Sequence, residues 1–414
     1  MIDINTVIAD LQKAIADAQS IGTQPMTYTF SQVGSPLAPL VDATSWQAHV
    51  GGVASTRIAD ITNAWNGAAF DYATATMHLV GPGGHSDSWV NQCFACDVTT
   101  GTWRVTGTQT PWPPDQHVPG YAPTEIDGVT PTAGNGYESN GTTPVTPFVN
   151  KGIVYFDGKR SSRHNYGGTV YLPTQKQVLG ISGSSWNNGD GDLYCGWFDP
   201  VAGNWTRKGN LPGSYDGISS AYDSVRHLVY WNRSGTEFVT AYDPAADTHT
   251  RIGTTSPDRL NADYGPYLQM CCDGPCDYVY ATLMGGWIKK NPNLPAAYAN
   301  AIIRMPLGKS TLQVWQPVTV TGDTSIMYAN CPGFEYDPDL NAFVFWSPAT
   351  PASLSILDLS TFAITTVPIA GTVPTTAQLA DCAHGTWGRF RRVSKGLYCV
   401  MVSANAPMYL ITAS

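Results

Sequence analysis

Long hydrophobic runs and charged residues are both scarce in this sequence of 414 residues. No run of about 18 consecutive apolar residues occurs, which argues against a membrane-spanning helix. Charged residues make up 13% of the chain, and the formal net charge is −9. Because binding to duplex nucleic acid needs a clustered basic surface, we expect no such partner. The densest basic stretch is predicted to be a solvated sheet edge, and it comprises Arg389, Arg391, Arg392 and Lys395.

Cysteine is present in an odd number, nine, so at least one thiol stays unpaired or pairs between chains. Cys272 and Cys276 flank the turn at 273–275 and can form a hairpin disulfide in an oxidising compartment. We expect no metal and no cofactor. A calcium ion held by the oxygen atoms of Asp190 and Asp192 is the alternative.

Glycine, proline and aromatic residues are abundant, with 41 Gly, 30 Pro, 21 Tyr and 13 Trp. This composition is typical of many short strands joined by tight turns, and it argues against a helical fold. One exception lies at the start of the chain, where apolar residues recur at helical spacing with acidic residues between them. The pattern predicts an amphipathic helix within residues 1–22 whose apolar stripe is Ile4, Val7, Ile8, Leu11 and Ile15.

The first 22 residues also lack the basic region and continuous apolar stretch of a secretion signal, because Asp3, Asp10 and Asp17 interrupt the apolar residues. We therefore expect no export by the ordinary route. A helix of this kind must bury its stripe against something else, so we predict that it docks on another protein or on copies of itself.

One turn motif recurs along the rest of the chain. Each copy has an aspartate, then five residues, then a bulky side chain, at 97–103, 199–205, 243–249 and 358–364. The aspartate is predicted to cap the turn through its side chain, and the bulky residue is predicted to pack the next strand.

A second repeated feature precedes the first strand of each predicted unit. It is an aromatic residue close to a glycine, as in Trp65-Asn66-Gly67, Tyr166-Gly167 and Trp387-Gly388, with Cys331-Pro332-Gly333 as a variant. Paired glycines follow a second strand at 83–84 and 285–286. With the turn motif, these features define four strands per unit and a repeat of roughly 50 residues.

These motifs resemble kelch-type β-propellers, similar in architecture to the propeller domain of galactose oxidase. The resemblance implies an all-β, six-bladed propeller over residues 23–414, with blades at about 63–107, 164–212, 215–254, 262–321, 326–370 and 383–414. Residues 26–50, around Tyr28 or Trp46, are predicted to supply the missing outer strand of the last blade. A seventh blade within residues 108–162 is the alternative to an insertion there.

Up-and-down strands place the connections between blades and the loops between second and third strands at the same side. We therefore predict a ligand site there, beside the insertion at 108–162. Its aromatic and polar residues suit the stacking and hydrogen bonding that hold sugar rings. The candidate ligand-binding residues are His85, Asp87, Trp89, His164, Trp186, Asp190, Asp192, Trp287 and His384.

The function expected from this layout is binding rather than catalysis. It resembles a bacteriophage virion component, such as a tail or fibre protein that attaches to host surface glycans and docks on other virion proteins through its helix. A cytoplasmic kelch interaction module is one alternative. The other is a polysaccharide-degrading enzyme that uses residues such as His85, Asp87, His164 and Asp190.

Overall fold

The computed structural model describes residues 27–42, 58–63, 65–83, 90–110, 159–185, 194–209, 211, 217–232, 239–254, 268–282, 298 and 301–414. The predicted docking helix and its apolar stripe lie outside these residues. In the described ranges, no helix has the length and apolar character needed to cross a bilayer.

Helical structure within these ranges is short. It consists of α1 (Asp60–Asn63), α2 (Thr376–Ala380) and the 3-10 turns Ala38–Leu40 and Thr324–Tyr328. The strands are β1 (Tyr28–Val33), β2 (Ala69–Asp71), β3 (Thr76–Val80), β4 (Cys93–Asp97), β5 (Thr102–Gly107), β6 (Arg163–His164), β7 (Thr169–Leu172), β8 (Gln177–Ile181), β9 (Ser184–Ser185), β10 (Cys195–Asp199), β11 (Asn204–Arg207), β12 (Ser219–Asp223), β13 (Leu228–Asn232), β14 (Val239–Asp243), β15 (Thr248–Arg251), β16 (Gln269–Cys272), β17 (Tyr278–Thr282), β18 (Ala301–Pro306), β19 (Gln316–Thr319), β20 (Thr321–Gly322), β21 (Gly333–Asp337), β22 (Ala342–Trp346), β23 (Ser353–Asp358), β24 (Ala363–Gly371), β25 (Phe390–Ser394), β26 (Leu397–Val400) and β27 (Met408–Ala413).

Most of these strands belong to four-stranded antiparallel units. Sheet 1 is β2 to β5, sheet 2 is β7, β8, β10 and β11, sheet 3 is β12 to β15, and sheet 4 is β16 to β19. Sheet 5 is β21 to β24, and sheet 6 is β25 to β27 completed by β1. Sheets 5 and 6 are continuous, because β1 also pairs in parallel with β24.

The first strands of the sheets form the inside of a ring. They contact one another in the order β2, β7, β12, β16, β21 and β25, and the backbone N–H of Ala68 in front of sheet 1 donates to the carbonyl of Trp387 in front of sheet 6 at 3.1 Å. Apolar residues that alternate along the strands are buried between neighbouring sheets. The described residues therefore form an all-β, propeller-like ring, as predicted. The number of blades stays a prediction, since residues 111–158 are not described.

The aspartate turn motif has the predicted cap. Asp199 Oδ1 accepts hydrogen bonds from the backbone N–H groups of Val201 and Ala202 at 2.8 and 2.9 Å. The same pair of bonds recurs at the other three aspartates of the motif, Asp97, Asp243 and Asp358. A short side chain that satisfies two backbone donors fixes a tight turn locally, so this prediction is confirmed.

The same turns also connect neighbouring sheets. The fourth residue after each aspartate has positive φ, namely Gly101, Gly203, Asp247 and Phe362. At each of these positions the turn meets the chain that leaves the outer strand of the preceding sheet. The Asp247 carboxylate accepts from the N–H of Gly209 at 3.1 Å, and the carbonyl of Phe362 accepts from the N–H of Thr321 at 3.0 Å. The repeated turn thus stabilises its own sheet and joins it to the preceding one.

The last sheet is completed from the start of the chain. β1 lies in the segment for which a closing strand is predicted, and it pairs antiparallel with β27 from Tyr28 opposite Ala413 to Val33 opposite Met408. In each sheet, the strand ends on one side are joined by the turns from first to second and from third to fourth strand, and we call this side the turn edge. The strand ends on the opposite side, the loop edge, carry the remaining loops and the connections between sheets. Thr27 therefore lies at the turn edge of sheet 6.

The basic stretch is not a solvated edge, so that prediction is wrong. Arg389 is fully buried. Arg391 Nη1 lies 2.8 Å from Glu335 Oε2, and Arg392 pairs with Asp337 and Asp339. The side chains of Arg391 and Arg392 turn inward because sheet 5 supplies carboxylates opposite them, and this contact cannot be seen in the local sequence. Lys395 alone of the four is exposed.

Candidate functional site

The loop edge is distinguished by the residues that lead into the first strands. Trp65, Tyr166, Cys331 and Trp387 occupy equivalent positions before sheets 1, 2, 5 and 6. Their φ angles are 50°, 47°, 41° and 46°. Bulky residues seldom adopt this left-handed conformation, and when they do the surrounding structure holds them there. The aromatic-glycine repeat of the sequence therefore marks a strained position that recurs around the ring.

Backbone contacts between sheets hold these residues in place. The N–H of Tyr166 donates to the carbonyl of Trp65 at 2.7 Å, and the N–H of Thr386 donates to the carbonyl of Cys331 at 3.0 Å. Gly67 fits beneath them only because it has no side chain. A Cβ at that position would lie 2.0 Å from the carbonyl oxygen of Tyr166 and 2.2 Å from that of Trp387.

The four side chains pack together, and we call them the inner cluster. Tyr166, Cys331 and Trp387 are buried, and Trp65 packs against them while remaining partly exposed. The rings of Tyr166 and Trp387 meet edge to face with centroids 5.4 Å apart. The Tyr166 hydroxyl is hydrogen-bonded to Ser184 at 2.9 Å. The cluster is thus a rigid aromatic base at the loop edge.

Two of the predicted site residues, His164 and His384, meet at this cluster. The His384 imidazole stacks on the Trp65 indole with centroids 3.7 Å apart and an interplanar angle of 18°. The His164 ring lies 5.0 Å from the same indole at 35°. His164 is 1% exposed and supports Trp65 from inside, whereas His384 and Trp65 are half-buried. Residues from the approaches to three consecutive sheets therefore pack into one aromatic group, of which Trp65 and His384 are partly exposed.

The predicted insertion begins and ends beside this surface. Asn91 is hydrogen-bonded to both described ends of the insertion. The Asn91 Nδ2 donates to the carbonyl of Arg160 at 3.0 Å and to Thr110 Oγ1 at 2.9 Å. Its Oδ1 accepts from the N–H of Thr110 at 2.9 Å. Arg160 precedes His164 by four residues, so both described ends of the insertion are held at the loop edge.

Buried polar residues beneath the cluster were not identified from the sequence. Arg160 Nη1 donates to Asn165 Oδ1 at 3.2 Å, and the backbone N–H of Asn165 donates to Asn66 Oδ1 at the same distance. The guanidinium of Arg389 donates to the carbonyl of Asn66 at 2.9 Å. The only sequence signal for them is an Asn next to the repeated aromatic position, in Trp65-Asn66 and Asn165-Tyr166.

The other predicted site residues lie outside the described residues. They are His85, Asp87, Trp89, Trp186, Asp190, Asp192 and Trp287. The predicted alternative calcium site at Asp190 and Asp192 therefore also falls there. Within the described ranges, no group of three or more His, Cys, Asp or Glu side chains has an arrangement that could hold a metal ion.

Comparisons with known proteins find no matching family model and no matching curated protein. Solved structures with similar folds include a protein of unknown function from Bacteroides thetaiotaomicron, at 11% identity and a TM-score of 0.46, with 94% of this chain and 76% of that one covered. TolB from Acinetobacter baumannii is also similar, at 11% identity and a TM-score of 0.39, with 73% and 53% covered.

A third similar structure is an auxiliary nutrient binding protein from Bacteroides ovatus, at 14% identity and a TM-score of 0.38. The alignment covers 58% of this chain and 57% of that one. At this identity and similarity the three structures carry no argument about function. The description of the fold as a propeller-like ring rests on the sheets themselves, and the kelch relationship stays a prediction.

Proposed function

We propose that this protein is a non-catalytic binding protein whose ligand contacts the loop edge at Trp65 and His384. The observation that carries the proposal is the stacked, half-buried pair formed by these two rings. The buried cluster behind them fixes both rings before any ligand arrives, so little side-chain freedom is lost on binding. A rigid aromatic surface with adjacent ring nitrogens suits a ligand that has an apolar face and polar edges.

Surface glycans are the ligand class that we propose. A pyranose ring presents CH groups that can pack on the exposed part of an indole, while its hydroxyls can bond to imidazole nitrogens. Thr110 and Arg160, which lie near the two ends of the predicted insertion, are both bonded to Asn91 at this edge. We also propose that the sheets are blades of the kelch type.

A glycan array with the purified protein tests this proposal. Replacing Trp65 with Leu removes the aromatic face and is expected to weaken binding to any positive glycan by about tenfold. Trp197→Leu is the matched control, since Trp197 lies in β10 and its Nε1 donates to the hydroxyl of Tyr242 at 3.1 Å. Equal losses in the two variants, or cleavage of the bound glycans, would count against a binding protein of this design.

Attachment to a virion is the second part of the proposal. Thr27 lies at the turn edge of sheet 6, where the N–H of Ser414 donates to its carbonyl at 2.9 Å. Thr27, the first described residue, thus lies on the side away from the proposed ligand surface. That arrangement supports a protein that docks at one edge and binds glycans at the other.

Deletion of residues 1–22 tests the docking role. We expect a folded ring that still binds its glycan but no longer assembles with itself or with virion proteins. Assembly that is unchanged in light scattering and pull-down measurements would contradict the docking role. The alternative of a cytoplasmic interaction module predicts partners among cellular proteins and no glycan binding.

A further inference from the structure

Two buried cysteines lie at the first-to-second-strand turn of sheet 4. Cys272 ends β16 and Cys276 lies in the turn, and the interaction between their thiols is the largest influence on the pKa of each. Both side chains belong to the hydrophobic core of this sheet, and they are 7% and 2% exposed. All nine cysteines of the chain are free thiols in this structure.

The backbone of the turn produces this contact. The N–H of Cys276 donates to the carbonyl of Asp273 at 3.0 Å, and Cys276 itself has a φ of 54°. This conformation turns the chain back, and Cys276 packs in the same core cluster as Cys272. Gly274, Pro275 and Asp277 are exposed. The Cys276 thiol therefore lies directly beneath a surface turn, where a local opening can reach it.

The two thiols differ chemically. The hydrogen bond with Cys272 is the largest influence on Cys276 and lowers its pKa to about 7, against the effects of burial and of the Asp223 carboxylate. Ser224 Oγ, 3.8 Å from Cys276 Sγ, acts in the same direction as Cys272. The same thiol contact, together with burial, raises the pKa of Cys272 well above its usual value. Arg226 also reaches this turn, which contains Asp273 and Asp277, and its Nη1 donates to the carbonyl of Cys276 at 2.7 Å.

The remaining cysteines provide the contrast. Burial raises the pKa of Cys93, Cys96 and Cys195 to about 12, and it acts in the same direction on Cys271, Cys331, Cys382 and Cys399. Because the thiolate is the nucleophile, those thiols are inert near neutral pH. Cys276 is the one thiol of the nine with a lowered pKa, and the interaction with a second thiol is the main cause.

We propose that Cys272 and Cys276 form a dithiol modification site that reacts with low-molecular-weight disulfides to give a reversible intrachain disulfide. The Cys276 thiolate attacks one sulfur of the small disulfide, forming a mixed disulfide and releasing one thiolate. Cys272 then loses its proton and attacks Cys276 Sγ, which releases the second thiolate. Both cysteines are oxidised by one electron each, and one small disulfide is reduced to two thiols.

Incubation of the full chain with oxidised glutathione, followed by peptide mapping under non-reducing conditions, tests the proposal. We expect the number of free thiols, which is nine before treatment, to fall by two. One crosslink should join Cys272 and Cys276, and dithiothreitol should remove it. Cys272→Ser should stop at a glutathione adduct on Cys276. Cys271→Ser is the matched control and should still lose two thiols, because Cys271 is adjacent and more exposed.

Two results would overturn the proposal. One is a native protein that keeps all nine thiols while the urea-unfolded chain reacts. The other is a first adduct on Cys271 or on any cysteine outside the pair. The native wild-type map decides the question even where a variant fails to fold.

Discussion

The two edges of the sheets are built on different principles. At the turn edge, an aspartate caps each copy of the motif through bonds to residues two and three positions later. At the loop edge, residues far apart in sequence hold one another, as when Arg389 donates to the carbonyl of Thr62 at 2.8 Å. The turn edge repeats one local solution, whereas the loop edge depends on contacts between sheets.

This difference predicts where substitutions matter most. A turn that loses its cap loses bonds to its own backbone, while its contacts with the preceding sheet remain. A residue at the loop edge that joins two sheets leaves several buried groups without partners when it is removed. The predictions below use this contrast. A substitution at the turn edge that lowers the free energy of unfolding as much as one at the loop edge would contradict it.

The largest expected effect follows removal of Arg389. Its guanidinium donates to the carbonyls of Asn66, Met401, Thr62 and Gly385 at 2.7–2.9 Å. Arg389→Met leaves these buried acceptors unsatisfied, so we expect the free energy of unfolding in urea to fall by about 4 kcal/mol. Arg104→Met, at an exposed position of β5, is the control and should change it by less than about 0.5 kcal/mol.

Gly67→Ala is expected to have the next largest effect. The new methyl group would lie 2.0 Å from the Tyr166 carbonyl oxygen, so the inner cluster must move apart, at a cost of about 3 kcal/mol in urea unfolding. At Gly209, the nearest atom to a new methyl group would be the carbonyl oxygen of Asp247, 3.3 Å away. Gly209→Ala should therefore cost clearly less, and equal losses would argue against the close approach at Gly67.

A smaller effect depends on pH and involves His78, which lies in β3 between sheets 1 and 2. Its ring stacks on Tyr171 at 5.4 Å, and burial lowers its pKa from 6.5 to about 4. Between pH 6.5 and about 4, the unfolded chain binds a proton on His78 that the folded chain does not. Stability is therefore full above pH 6.5 and falls by about 2 kcal/mol as the pH drops toward 4.

The His78→Phe variant checks this pH dependence, because Phe keeps the ring but cannot be protonated. Urea unfolding between pH 7 and 4 should show a flatter decline for the variant than for the wild-type chain. Parallel curves would mean that other groups cause the loss.

The smallest expected effect is at the turn edge. Asp199→Ala removes the two bonds to the backbone of its own turn, which should lower the free energy of unfolding by about 1 kcal/mol. Val201→Ala, in the same turn and 95% exposed, should leave it unchanged. A loss at Asp199 as large as that at Arg389 would remove the distinction between the two edges.

The turn edge was predictable because its structure is local. The motif spacing in the sequence already specifies the capping aspartate and the packed residue that follows, as with Asp97 and Trp103, which is 9% exposed. The all-β ring followed from repetition of that motif. A closing strand was expected within residues 26–50, and β1 lies there because the last sheet has only three strands of its own.

The loop edge was predictable only in part. His164 and His384 were chosen from matching positions, and both contact Trp65, but the indole itself was not among the candidates. Arg389 was assigned to a solvated edge, since its local sequence is basic. Its burial depends on carbonyls contributed by residues more than 300 positions away, such as Asn66. No pattern of neighbouring residues encodes that contact.

Hydrogen exchange of the protein with and without a glycan from the array tests the central claim most directly. Binding at the loop edge predicts slower exchange in peptides that contain residues 60–67, 160–166 and 382–388. Peptides that span the turns at 97–101 and 199–203 should exchange as in the free protein. Protection confined to those turns would contradict a ligand surface at Trp65 and His384.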